Sequence, residues 1–442
     1  MKIQTCLFTA FLLFALLEGV SAQVKVVGGP VVLHSNVASQ WGGHTFSYVL
    51  QGQRHVFWAA TLNEWETADN GEKRFLTQLV GQFPLPGTDG VPAVHAFSIK
   101  EPGAYGGNEP LLMRTPDGYL HVILGINHHT DNPRYGYGTL RYYRSARPED
   151  VTEWVERTEL IPQVPPYNQF HLRMNAAVTA DGQRAALVIL AISEDGSVPF
   201  NTPLIFYGHR QGLDFRFDKP IKYHEPFAFF YPLVAATEAG VVVVGNVWDV
   251  YEHATSRLIH LDWQGNILHE EELPADAVDG RYLSYDMRPV RPGDWQHLLI
   301  YHNMSPKDGP WRHDFLVYDL TTRKLRLVNE VPTARGYSNA GKWQYISPTR
   351  SVFINNPSMG KLQAWEGDIL GGEKVVAEPV AGMDPLELGY QASSYVMTPN
   401  PCQGSVTVPG VMYVMSDVYN PEKLQQDPGP CSLLLWRLST GE

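Results

Sequence analysis

Short apolar runs separated by Gly, Pro, Asn or Asp recur along the whole chain, and no 3.6-residue period persists after residue 22. The clearest unit is PLLMRTPDGYLHVILGIN followed by TLRYYRS, within Glu109 to Arg144. Comparable units occupy Phe46 to Leu62, Asn175 to Tyr207, Tyr231 to Trp263, Ser284 to Leu320, Trp343 to Trp365 and Ser394 to Leu438. The form is strand, tight turn (PDG, ADG, EAG or PGD), strand, loop, strand. Seven such units, spaced roughly forty to sixty residues apart, predict the blades of a β-propeller. A blade cannot bury both its faces alone, and stacking in a ring solves that. No Pro/Ser-rich or charged linker divides the chain. The expectation is therefore one all-β domain, a seven-bladed propeller over residues 23–442, in place of a pair of β-sandwiches. Val24 to Leu33 (VKVVGGPVVL) is the expected strand that closes the ring against the last blade.

Residues 1–22 read differently. Lys2 precedes an apolar run from Leu7 to Leu17, and Val20-Ser21-Ala22 supplies small residues before Gln23. That is the pattern of a cleaved secretory signal, too short for a membrane span, and predicts a secreted or periplasmic protein with no membrane insertion. Export would leave Cys402 and Cys431 in an oxidising compartment, where one disulfide or two buried thiols are the alternatives. The net charge of −12, from 46 acidic and 34 basic residues, argues against nucleic acid as a partner. Many aromatics (22 Tyr, 18 Phe, 11 Trp) suit a sugar-binding surface.

The chain has no G-x-S-x-G elbow, no phosphate-binding glycine loop and no H-E-x-x-H pair. Histidine carries the remaining chemistry, with 16 in the chain and the densest group at His121, His128 and His129. The run DGYLHV…NHH…LRYYRSARPEDV resembles blades of secreted propeller polysaccharide lyases, the ulvan and rhamnose–glucuronate lyases. That resemblance implies a base that takes the proton alpha to a uronate carboxylate, an acid for the leaving oxygen and an Arg that neutralises the carboxylate. His128 or His129 matches the second lyase histidine. The lyases' His-Asn position falls on Gly107-Asn108, and the following blade offers no Tyr–Arg pair where one is expected.

A sister group with the same architecture, the α-L-rhamnosidases of glycoside hydrolase family 145, removes rhamnose that caps glucuronate in arabinogalactan. GGHTF near the mature N-terminus resembles the site of that group. The resemblance implies His44 as acid/base, Gln82 (or Gln78) as its helper, and a site on the ring face opposite to the lyase site. Arg335, Arg288 and Arg350 are the candidates for gripping the uronate, and Trp343 and Trp41 for stacking on a sugar. The sequence reading therefore ranks a rhamnose-releasing hydrolase of acidic plant or algal glycans first. A β-eliminating lyase and a non-catalytic glycan-binding propeller follow. No cofactor is required, and a structural calcium or zinc ion stays open.

Overall fold

The structure is a computed structural model that describes residues 24–38, 48–67, 73–75, 77–99, 104–107, 110–128, 137–163, 167–168, 174–193, 202–223, 232–250, 253–275, 280–333, 342–347, 349–355, 363–372, 376–383, 391–392, 396–419 and 430–440. Its strands form seven blades of antiparallel sheet. The expected all-β seven-bladed propeller is present, and the only helical turns among the described residues are short 3-10 segments, Thr158–Leu160 and Pro401–Gln403.

From the axis outward, blade 1 runs Tyr48–Gln51, His55–Thr61, Thr77–Pro84 and Ala93–Ser98. In blade 2, Ala104–Gly107 and Leu111–Arg114 both pair with Leu120–His128, which pairs in turn with Tyr137–Ser145. Blade 3 is built on Met174–Val178, Arg184–Ser193 and Thr202–Gln211, and blade 4 on Leu233–Thr237, Gly240–Val250, His253–Leu261 and Ile267–Glu272. Blade 5 holds Gly280–Pro289, His297–Pro306, Trp311–Asp319 and Lys324–Thr333, and blade 6 Lys342–Ser347, Arg350–Asn355, Gln363–Gly367 and Val376–Pro379. Blade 7 takes Gln391–Ala392, Val411–Tyr419 and Pro430–Ser439, and its outermost strand is Lys25–Ala38 from the other end of the chain. The closing strand is thus where the sequence placed it, and it extends five residues beyond Leu33.

Alternation explains why the ring holds. Strand side chains point to opposite faces with period two, and here both faces of a blade are buried. In Val241–Val244 all four valines are buried, alternately facing the two neighbouring blades. Leu50, Phe57, Ala59 and Val80 of blade 1 meet Leu120, Val122, Leu124 and Ile126 of blade 2. On its other face blade 1 sets Val56, Trp58 and Ala60 against Met415, Leu433 and Leu435 of blade 7. The two ends of a blade differ. The first and second strands are joined by tight turns, which define the turn end of the ring. Thr115-Pro116-Asp117-Gly118 and Thr179-Ala180-Asp181-Gly182 are two copies of one turn, each with the Thr hydroxyl 2.6 Å from the Asp carboxylate. Gly182 has φ +68°, and a Cβ there would lie 2.5 Å from Pro116 of the next blade, so both conformation and space require glycine. The opposite, loop end is where second strands finish and third strands begin.

Buried histidines brace the blades. His121 lies 2.7 Å from the Tyr142 hydroxyl, and His313 lies 2.9 Å from that of Tyr301. His302 must donate from Nε2 to the Pro274 carbonyl (3.1 Å), so its Nδ1 accepts from the Ser284 hydroxyl (3.0 Å). Burial pushes His121 and His313 down to about 3 and His260 and His302 down to about 4. These four imidazoles are neutral bracing groups at neutral pH.

The unfolded chain takes up a proton at each of these histidines near pH 6.5, whereas the folded chain resists until about pH 3 to 4. Their contribution to stability is therefore present above pH 6.5 and is lost as the pH falls through that window, by up to about 1.4 kcal/mol per pH unit for each. His302→Gln keeps both hydrogen bonds without a titrating group. Urea-denaturation midpoints measured from pH 7 to 4 should fall less steeply for this variant than for the wild type.

Candidate functional site at the junction of blades 1 and 2

His128 ends the strand Leu120–His128 at the loop end of blade 2. It continues the row Leu120, Val122, Leu124, Ile126, which packs against blade 1. The imidazole is buried, with Nε2 2.9 Å from the Thr139 hydroxyl of the neighbouring strand. Thr139, Arg141 and Tyr143 share that face of the next strand, and Arg141 Nη1 lies 3.3 Å from the Tyr143 hydroxyl. Sequence reasoning missed Arg141, although its even spacing from Thr139 in the run TLRYYRS was a usable signal.

Blade 1 brings a glutamine to the same end of this interface. Gln78 extends the row of Val80, is fully buried, and accepts from the Thr61 hydroxyl at 2.8 Å. Its Nε2 is a buried donor without a partner. Gln82 lies one turn of the pleat toward the turn end, with both halves of its amide engaged. Its Nε2 donates to Val91 O (2.9 Å) and its Oε1 accepts from Val151 N of blade 2 (3.0 Å). The two glutamines thus have different local chemistry: Gln82 ties blade 1 to blade 2, and Gln78 holds an unsatisfied donor.

His44, Trp41, His129 and Arg335 lie outside the described residues. The residues that flank His44 are described and fix the end of the ring from which that segment departs. Ala38 pairs with Pro430, beside the loop end of blade 7, and Tyr48 begins the innermost strand of blade 1, whose other end is the turn at Gly52. Both flanks are therefore at the loop end, as is His128. A first strand begins at the end where a second strand finishes, because a tight turn joins them.

The remaining candidates are elsewhere. Arg288 pairs with Asp286 at 2.8 Å, and Arg350 pairs with Glu366 at 2.6 Å. Trp343 is buried at the innermost strand of blade 6, its backbone N–H directed at Asp286 (3.4 Å). Arg288 and Trp343 line one cleft at the turn end. The considered disulfide between Cys402 and Cys431 is absent, and both side chains are buried. Cys431 faces Tyr419 at the loop end of Val411–Tyr419, whereas Cys402 precedes the turn end of that strand and packs on Met287 O. A strand of this length separates them by ~25 Å, far beyond disulfide reach. Burial also pushes the Cys402 thiol up to about 12, which removes it as a nucleophile.

Cys402 belongs to a segment that stoppers the ring. Between Thr398 and Thr407 the chain leaves blade 7 and crosses the axis at the turn end. Val406 N donates to Gln51 O of blade 1 (2.7 Å), Gln403 Nε2 to Asn175 Oδ1 of blade 3 (3.3 Å), and Asn400 Nδ2 to Met287 O of blade 5 (3.1 Å). A Cβ at Gly404 would lie 1.7 Å from Arg114 O of blade 2, so the segment fits only because glycine stands there. Among the described residues no cluster of three His, Cys, Asp or Glu side chains is arranged to hold a metal ion. Nor is any described helix long and apolar enough to cross a membrane.

Comparison with known proteins places this geometry in a fold class. No protein-family model matches the sequence, and no curated protein matches it. Among solved structures, the chain is similar to a PL25 ulvan lyase, from a new family of polysaccharide lyase, bound to -[GlcA(1-4)Rha3S]-. The TM-score is 0.52 at 11% identity, over 93% of this chain and 96% of that one. The same lyase without the oligosaccharide gives 0.47 at 9% identity, over 93% and 96% of the two chains. A protein of unknown function from Dyadobacter fermentans gives 0.49 at 12% identity, over 94% and 99%. The bound ulvan lyase shares the propeller fold across nearly the whole chain.

The two glutamines should respond differently to truncation of their polar groups. Gln82→Leu strands Val91 O and Val151 N and should cost about 2 kcal/mol or more in urea denaturation. Gln78→Leu removes one unsatisfied donor but strands the Thr61 hydroxyl, a single lost partner against two for Gln82, and should cost about 1 kcal/mol. An equal loss for both would show that Gln78 is as much a brace as Gln82.

Proposed function

We propose that this protein is a carbohydrate-active propeller that cleaves uronate-containing polysaccharide by β-elimination at the junction of blades 1 and 2. The observation that carries this reading is His128. Its imidazole ends a strand at the loop end, with Nε2 on the Thr139 hydroxyl, in a fold shared with an ulvan lyase bound to a glucuronate–rhamnose sulfate oligosaccharide. An imidazole titrates near neutral pH and can take a proton from the carbon alpha to a carboxylate. The electron pair of that C–H bond forms the new C=C bond. The bond from the beta carbon to the glycosidic oxygen breaks, and that oxygen takes up a proton. Arg141, on the same face, supplies the positive charge that stabilises the developing carboxylate dianion. The first lyase histidine has no counterpart here, because Gly106 and Gly107 lie opposite Asn127 and Ile126. His129, next in the chain, is the second proton carrier in this reading.

A second reading is the rhamnose-releasing hydrolase with His44 as acid/base. The unpartnered Nε2 of Gln78 favours it. This amide stands at the loop end of blade 1, from which residues 39–47 depart, and is placed to bind a hydroxyl or a nucleophilic water. Gln78, rather than Gln82, is then the helper, and Arg335 is the residue for the uronate.

Product analysis separates these readings. The purified protein is incubated with ulvan and with gum arabic, and the ultraviolet absorbance of an unsaturated uronate and free rhamnose are followed. Elimination raises the absorbance, and His128→Ala should then lower the rate by about 10²- to 10⁴-fold. Rhamnose without absorbance, abolished by His44→Ala, would replace elimination with hydrolysis. Binding without either product would leave a glycan-binding propeller.

A further inference from the structure

The turn end carries a second feature that the junction of blades 1 and 2 does not use. Arg288 and Trp343 line one narrow cleft together with Gln51, Gln344 and Tyr345. Arg288 is 3% exposed and Trp343 1%. The terminal nitrogens of Arg288 are spent on Asp286 (2.8 Å), Thr398 Oγ1 (3.1 Å) and Pro399 O (3.4 Å). Its Nε has no partner, and neither does Nε1 of Trp343. Two buried N–H donors, both unsatisfied by protein, therefore border the same small space. Buried donors in proteins are almost always paired, so a pair left open in one cleft points to an acceptor from outside the chain.

Size and charge define that acceptor. The cleft encloses about 30 Å³, room for one carboxylate or sulfate group but not for a sugar ring. A cavity of about 330 Å³ lies beside it and shares Pro289, Pro292, Pro401, Val406 and Thr407. That is within the range of small-molecule sites, and Trp295, Thr179 and Arg114 are among its other lining residues. Lys342, whose Nζ donates to Tyr285 O at 2.7 Å, is close enough to Asp286 and Arg288 to interact with both. Two cations thus surround one carboxylate, a locally positive spot on a chain of net charge −12.

We infer that this cleft is an anion site for an acidic sugar, separate from the junction of blades 1 and 2. A carboxylate or a sulfate ester accepts from Arg288 Nε and Trp343 Nε1, and the ring occupies the larger cavity beside Trp295. The site holds substrate chains on the turn end of the ring whichever bond is cleaved at the loop end.

The indole N–H resonances of 15N-labelled protein report on it directly. Trp343→Phe assigns the Trp343 signal, keeps an aromatic ring and removes only the donor. Titration with D-glucuronate or with glucose 6-sulfate should shift the Trp343 signal, and the neutral sugar glucose should leave it in place. The stronger of the two anions identifies the natural group. Trp343→Phe should weaken calorimetric affinity for that anion by about tenfold, and His128→Ala should leave the shift unchanged. A Trp343 resonance that ignores both anions, or that follows glucose equally, overturns the inference and leaves a water-filled cleft only. Loss of turnover in His128→Ala with the Trp343 shift intact would separate this site from the catalytic reading.

Discussion

Every blade of this protein is apolar on both faces, and that single constraint governs the rest of the molecule. A sheet of this kind has no stable solvent-exposed form, so each blade depends on two neighbours and the ring has no natural place to stop. Closure by Lys25–Ala38 against Pro430–Ser439 is what ends the series. The sites follow from this architecture. Polar side chains in the interfaces are mostly satisfied by the same or a neighbouring blade, as Gln82 is by Val151. Gln78, Arg288 and Trp343 are among the buried groups that keep an unsatisfied atom.

The blade pattern was legible because a tight turn between two apolar runs is a local signal. TPDG and TADG announce the turn in four residues, and both adopt the same hydrogen-bonded form. The closing strand was legible for a related reason: an apolar run standing apart from the other units needs a partner. The site was less legible. His128 was found because it stands in a dense histidine group, but nothing in the sequence separates it from His121, one blade face away. Both are buried, and only position and partner separate them: His121 lies beside the turn end on the Tyr142 hydroxyl, whereas His128 ends the strand at the loop end on the Thr139 hydroxyl. Gln82 and Gln78 are four residues apart on one strand and read alike. Their difference lies in Val91 and Val151, which are remote in sequence. Arg288 and Trp343 were each singled out separately, and their meeting in one cleft depends on contacts between blades 5 and 6 that no spacing rule reveals.

Histidine in this interior is a shape-fitting hydrogen-bond partner, held neutral by burial, as at His302 between Ser284 and Pro274. The strand Leu120–His128 carries one near each end: His121, beside the turn end, lies on the Tyr142 hydroxyl, and His128, at the loop end, lies on the Thr139 hydroxyl.

The segment from Thr398 to Thr407 gives the ring a floor. A torus open at both ends can encircle a polymer and slide along it, retaining its substrate between successive cuts. This one cannot be threaded. Any polymer that binds this ring must approach from the side and lie across a face, or insert a chain end and withdraw it by the same route, so that residence would depend on lateral grip instead of topology.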